Sequence, residues 1–178
     1  MPIEQIFNYF RQYDTRSFHF VACQGNEPSE ADVAAFEHEI GFRLPDEFRT
    51  FTMSGLGGLH MEVREALWPR PKEFDVGPFW SFQYGLSVFG IAKGIPEWLD
   101  LRHRYREFRA EGFGDLVPFL QWVSDADLWC FDAHDRIVNW SHEEPEKREA
   151  VPLSFSDLLM REIHNLEDRK DQKLSDTP

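Results

Sequence analysis

The stretch SEADVAAFEHEIGFRLPDEFRTFTMSGLGG, residues 29–58, decides how the rest of the chain is read. Ser29 with Asp32 three residues later resembles a capping box, in which each side chain satisfies a free backbone N–H; Glu or Gln is the usual partner. Val33, Phe36 and Ile40 then fall on one helical face. Gly41 suits the position just past a helix end, where the backbone turns left-handed. Pro45 fits the first turn of a second helix, because its fixed φ suits that turn and its missing N–H costs nothing there. Asp46 and Glu47 complement the positive end of the helix dipole. Leu44, Phe48 and Phe51 form a buried stripe, and residues 54–58 stop the helix. The expectation is two helices joined by a short turn.

Upstream, Ile3, Ile6, Phe7, Phe10 and Tyr13 recur at helical spacing, an amphipathic helix over 3–13. FHFVAC (18–23) alternates loosely as a short strand, and QGNEPS reads as a loop. Downstream, the three prolines of WPRPKEFDVGP (68–78) mark an irregular loop. FWSFQYG and LSVFGI look like two strands with Gly85 between them. Pro96 opens a helix over about 96–110, with Trp98, Leu101, Tyr105 and Phe108 inward and Arg102, Arg106 and Arg109 on another face. LVPFLQWV (116–123), LWCFD (128–132) and RIVNW (136–140) look like three consecutive antiparallel strands, with SDAD and AHD as turns. HEEPEKRE is a charged loop. Ser154 or Ser156 caps a last helix carrying Leu158, Leu159, Ile163 and Leu166. The tail, 167–178, is too polar to pack and is expected to be disordered.

Helices, then strands, then one closing helix imply an α+β single domain: a mostly antiparallel sheet flanked by helices. Residues 1–28 form an N-terminal helix with a connecting strand and loop, 29–166 the main α+β domain, and 167–178 the tail. The 178 residues suit one domain, and 17 Phe, 6 Trp and 4 Tyr demand a core or a partner to bury them.

The net charge of −13 would repel a phosphate backbone, so nucleic-acid binding is not expected. An acidic surface instead steers a basic partner, although acidity also serves solubility alone. No apolar run of membrane-spanning length occurs, and Glu4, Gln5 and Asn8 interrupt the N-terminus where a signal peptide would be apolar. Two cysteines, Cys23 and Cys130, make no disulfide framework. A cytoplasmic protein without a membrane partner fits these features.

SGLGG (54–58) lacks the Lys-Ser/Thr of a phosphate loop and reads as a helix-stopping turn. His134 and His142 flank a strand near Asp132 and Asp135, but no His pair has helical ligand spacing; no metal and no cofactor are expected. Asp125 and Asp127 could be paired catalytic carboxylates, but they sit in a turn, where Asp is common for local hydrogen bonding. Neither cysteine has an activating base, so no enzymatic activity is expected. The arginine-rich helix has five bases and four acids over 93–111, a solvated salt-bridged face. Residues 112–149 carry nine acids and three bases. That bias coincides with Trp122, Trp129 and Trp140, and two readings stand: the tryptophans anchor an interface, or they fill the sheet's inner face. The candidate partner-binding residues are Asp125, Asp127, Trp129, Asp132, Asp135, Trp140 and Glu143. The 68–78 loop and the arginine-lined helix are alternative faces.

Residues 29–58 resemble the opening of the SUKH superfamily, which includes the yeast Smi/Knr cell-wall regulators. Phe36, Glu39 and Gly41 match the family's first helix; Leu44, Pro45, Phe48 and Phe51 match the second; Gly57 and Gly58 match the turn. LVPFLQWVSDADLWCFDAHDRIVNWSHE looks like the family's three-strand core and VPLSFSDLLMREI like its closing helix, so the likeness covers roughly 29–165. SDAD stands where the family often has Gly-Asp or Gly-Asn, and SGLGG replaces an Asn-Gly-Gly. The resemblance implies an α+β fold used for protein binding, with no shared catalytic residues. It points to an immunity protein that docks an acidic face on a basic toxin domain, many such toxins being nucleases. A regulatory scaffold of the yeast type is the alternative, and a small acid–base enzyme the third reading.

Overall fold

A computed structural model describes residues 2–176. Seven strands form one antiparallel sheet in sequence order. The chain runs α1 (Pro2–Gln12), β1 (Phe18–Val21), α2 (Glu30–Ile40), α3 (Asp46–Thr52), β2 (Leu59–Val63), β3 (Gly85–Val88), α4 (Leu101–Ala110), β4 (Leu116–Trp122), β5 (Leu128–Asp132), β6 (Ile137–Trp140), β7 (Arg148–Val151) and α5 (Phe155–Ser175). The fold is α+β, and β1 pairs directly with β2, so the N-terminal segment belongs to the same sheet.

The 29–58 stretch folds as its local signals dictate. Ser29 caps α2 with a reciprocal Asp32 bond, and Gly41 takes φ 84° at its end. Pro45 stands one residue earlier than expected, at the N-cap of α3 rather than inside its first turn. Buried Arg49 of α3 is clamped by Glu30 and Glu37 of α2, which fixes the two helices against each other. The glycine turn does more than stop α3. Gly90, just past β3, lies so close to Gly57 and Gly58 that a Cβ there would collide with their backbone.

Alternation along the strands sends successive side chains to opposite faces. On one face, Phe119 and Phe131 stack 3.9 Å apart and meet Phe48 of α3 and Phe155 of α5. On the other, Trp140 packs edge-on to Phe108 of α4, 4.8 Å away. Burial of this aromatic load on both faces is the main stabilising term.

Several elements differ from the sequence reading. FWSF (79–82) is a 3-10 turn, not a strand, and Trp68 buries beneath it with its Nε1 donating to Ser81 O. LHMEV forms β2, and β7 emerges from the charged 142–149 run. The 96–110 helix is broken: a 3-10 turn over Glu97–Leu99 precedes α4, which Asp100 caps, and Trp98 points outward. Ser154, not Ser156, caps α5. The tail is helical to Ser175, because tertiary contacts hold what composition would release. Tyr9 Oη donates to Glu167, Arg169 lies over the Trp122 ring and Lys170 approaches the Phe18 ring. Thr177 and Pro178 lie outside the described residues. No helix among the described residues is long and apolar enough to cross a membrane.

Candidate protein-binding surface

The seven candidate residues divide between the two ends of β5. At its start, the β4–β5 turn is organised by Asp125, whose Oδ1 accepts from the Asp127 amide at 3.0 Å. Its Oδ2 accepts from Gln83 Nε2 at 2.7 Å, and Gln121 Nε2 donates to its carbonyl at 2.7 Å. Asp127 Oδ1 receives the His142 amide at 3.0 Å and Ser141 Oγ at 3.2 Å, and lies 2.8 Å from His142 Nδ1. The β5–β6 register sets Leu128 opposite Trp140, which is why residue 127 meets 141 and 142. Glu143 follows, exposed.

The Asp125 and Asp127 carboxyls are shifted in opposite directions from the ordinary range. Burial raises the Asp125 carboxyl, and the neighbouring Asp127 charge adds to the rise. Burial also pushes Asp127 upward, but the hydrogen bonds from His142 and Ser141 outweigh it and hold Asp127 below the ordinary range. His142 is raised in turn by the Asp127 bond.

At the far end of β5, Asp132 is bonded within its own turn. It is 8% exposed. Its Oδ1 accepts the amides of His134 and Arg136, and its Oδ2 is 2.6 Å from the Arg136 guanidinium. Burial pushes Asp132 upward, but those bonds leave it below the ordinary range. Asp135 is exposed in the same turn at φ 60°. Four strand residues, Leu128 to Phe131, lie between Asp127 and Asp132, a span of about 16 Å. The candidates therefore do not form one patch.

The tryptophans settle differently from an exposed row. Trp140 is 6% exposed among Phe108 and Phe113, so it belongs to the core. Trp122 is also buried, its Nε1 donating to Glu162 at 2.9 Å. Trp129 is half-buried beside Arg161, on the Phe131 face. Strand alternation shows which residues share a face, but not which face is covered.

The three bases of 112–149 are all committed: Arg148 to Asp115, Arg136 to Asp132 and Lys147 to Glu144. Among the described residues, the six acids without an Arg or Lys partner are Asp125, Asp127, Asp135, Glu143, Glu146 and Glu149, of which Asp127 pairs with His142. Most of this surplus falls beside the β4–β5 turn and on the loop leaving β6. Asp125 also borders two grooves. One, about 460 Å³, includes Arg104, Gln121 and His142. The other, about 160 Å³, includes Trp129, Glu162 and Arg169.

His142 and Gln83 are the members that sequence reasoning missed. His142 is weighed in the sequence as a metal ligand, yet its partner is a carboxylate across the β5–β6 register. Gln83 reaches Asp125 from a distant segment, and no local signal marks it. A further missed cluster lies on β2 and β3: His60 Nδ1 is 2.9 Å from Ser87 Oγ, while Arg70 holds Glu62 at 2.9 Å. Burial lowers His60, with its Glu62 contact opposing, which favours the neutral imidazole. Among the described residues, no three His, Cys, Asp or Glu side chains group as metal ligands do.

The order of capped helix, Gly41, Pro-started helix, glycine turn and three-strand core defines the class. The SMI1 / KNR4 family (SUKH-1) model matches residues 27–161, and the chain belongs to that family. Comparison with curated proteins finds no match.

Proposed function

We propose that this chain is a non-enzymatic cytoplasmic immunity protein that neutralises a toxin by docking acidic residues on a basic toxin domain. The observation that supports this reading is the surplus charge around the β4–β5 turn. Among the described residues, Asp125, Glu143 and Glu146 have no Lys or Arg partner and Asp127 has only His142, whereas Asp115, Asp132 and Glu144 each pair with an Arg or Lys. Uncancelled carboxylates on turns and loops stay accessible, steer a basic partner and reject an acidic one. Family membership is consistent with protein binding. The proposed partner is protein, with no nucleic acid, membrane or cofactor engaged directly.

Co-expression with a toxin domain encoded beside this gene tests the reading. Restored growth and co-purification as a stable complex support it. Equal killing with and without this chain, when both proteins are soluble and expressed, removes it.

A further inference from the structure

The sheet has two edges, and they are built differently. β7 carries Arg148 and Glu149, and Pro145 and Pro152 flank it. Charge and proline are standard guards against a second strand. β1, of equal length, reads FHFV and has neither.

Its outward backbone groups can be assigned. The Arg64 amide donates to Ser17 O, so the antiparallel ladder turns the backbone groups of residues 17, 19 and 21 toward β2. Those of Phe20 and Ala22 face away, and the outward Phe18 amide is already taken by Asp14 O. Beside this edge runs a groove of about 720 Å³ between α1, β1 and the 54–56 turn. Phe7, Phe10, Tyr13, Phe20 and Leu56 are among its lining residues, and Phe20 sits edge-on to both Phe10 and Tyr13, at 5.0 and 5.1 Å. Arg11 is the one charged residue lining it among the described residues.

We infer that the β1 edge is a peptide-binding site that takes an extended segment of another protein as an eighth strand. Backbone bonds to Phe20 and Ala22 supply pairing, and the groove receives apolar side chains from alternate positions. Arg11, which otherwise donates only to Asn8 one turn back among the described residues, favours a segment that carries a carboxylate. A second copy is the poorer occupant: its β1 brings no carboxylate, and −13 repels −13. The inference goes beyond the immunity reading and does not depend on it.

The probe is an acetylated, amidated peptide Ser-Val-Thr-Phe-Thr-Asp, which puts Val, Phe and Asp on one face. It is titrated by NMR into the full chain. Saturable binding with new exchange protection at the Phe20 and Ala22 amides is expected. Ala22→Pro removes an outward N–H that bonds nothing among the described residues, and should weaken binding about tenfold without moving the thermal midpoint. Arg11→Glu should weaken it about threefold or more, and an Asn in place of the peptide's Asp should remove that sensitivity. No saturable binding up to about 1 mM would overturn the inference. So would binding unaffected by Ala22→Pro, or a dimer of the free chain that Ala22→Pro dissolves. No toxin enters this titration, so its failure leaves the immunity reading standing, and failed rescue leaves the edge standing.

Discussion

The two turns that bracket β5 are each organised by an aspartate, yet they do different work. At the β5–β6 turn, Asp132 is buried and its charge is cancelled by Arg136. At the β4–β5 turn, Asp125 is held by the neutral amide of Gln83, and among the described residues the Asp127 carboxylate meets only Ser141 and His142. An acid in a turn thus says little about binding until its cation is found. The first turn spends its carboxylate on the fold, while the second leaves negative charge over.

The aromatics beside the uncancelled turn provide the largest contrast. Trp140→Ala should destabilise by about 3–5 kcal/mol in urea unfolding, because it empties a packed site against Phe108 and Phe113. Trp129→Ala should cost clearly less, since that ring is half-buried. Equal losses would remove the distinction between core and flank at this end.

Asp132→Ala comes next, at about 1–3 kcal/mol, because it strands two turn amides and the Arg136 charge. Its pH dependence has a definite sign. Asp132 is held below the ordinary carboxylate range, so its stabilisation is present above the unfolded pKa of about 3.9 and lost as pH falls through the lower folded value. The gap between wild type and Asp132→Ala in urea midpoints should be full at pH 7 and shrink below about pH 4. A gap constant with pH would mean that the carboxylate charge contributes nothing.

The smallest effect is on His142. Its bond to Asp127 raises it, so its proton NMR titration should have a midpoint above an ordinary histidine's, and Asp127→Asn should return it downward. The pair's stabilisation is lost as pH rises through the His142 value or falls through that of Asp127. An unchanged midpoint in Asp127→Asn would separate the two groups.

The α+β order, the helix pair over 30–52 and β4 to β6 were legible because their signals are local: Ser29, Gly41, Pro45 and the Asp-bearing turns. β7 was not, because an exposed edge such as REAV has no apolar alternation to betray it. The last turns of α5 were not, because Glu167, Arg169 and Lys170 are held by Tyr9, Trp122 and Phe18, far away in sequence. At the candidate surface, residue types and turn positions could be read, but cancellation could not. Arg136 reaching Asp132 and Arg148 reaching Asp115 are properties of the folded sheet.

Charge reversal at the two ends of the β5–β6 hairpin tests the docking proposal most directly, with association to the cognate toxin domain followed by stopped flow. Glu143→Lys with Glu146→Lys changes exposed groups on the loop leaving β6 and spares the hydrogen bonds of Asp125 and Asp127. Asp135→Lys is the control at the opposite end. The double variant should associate about tenfold more slowly at low salt, with the difference shrinking as salt rises, while Asp135→Lys changes little. An unchanged rate for the double variant, or an equal loss in Asp135→Lys, would contradict docking at the β4–β5 end.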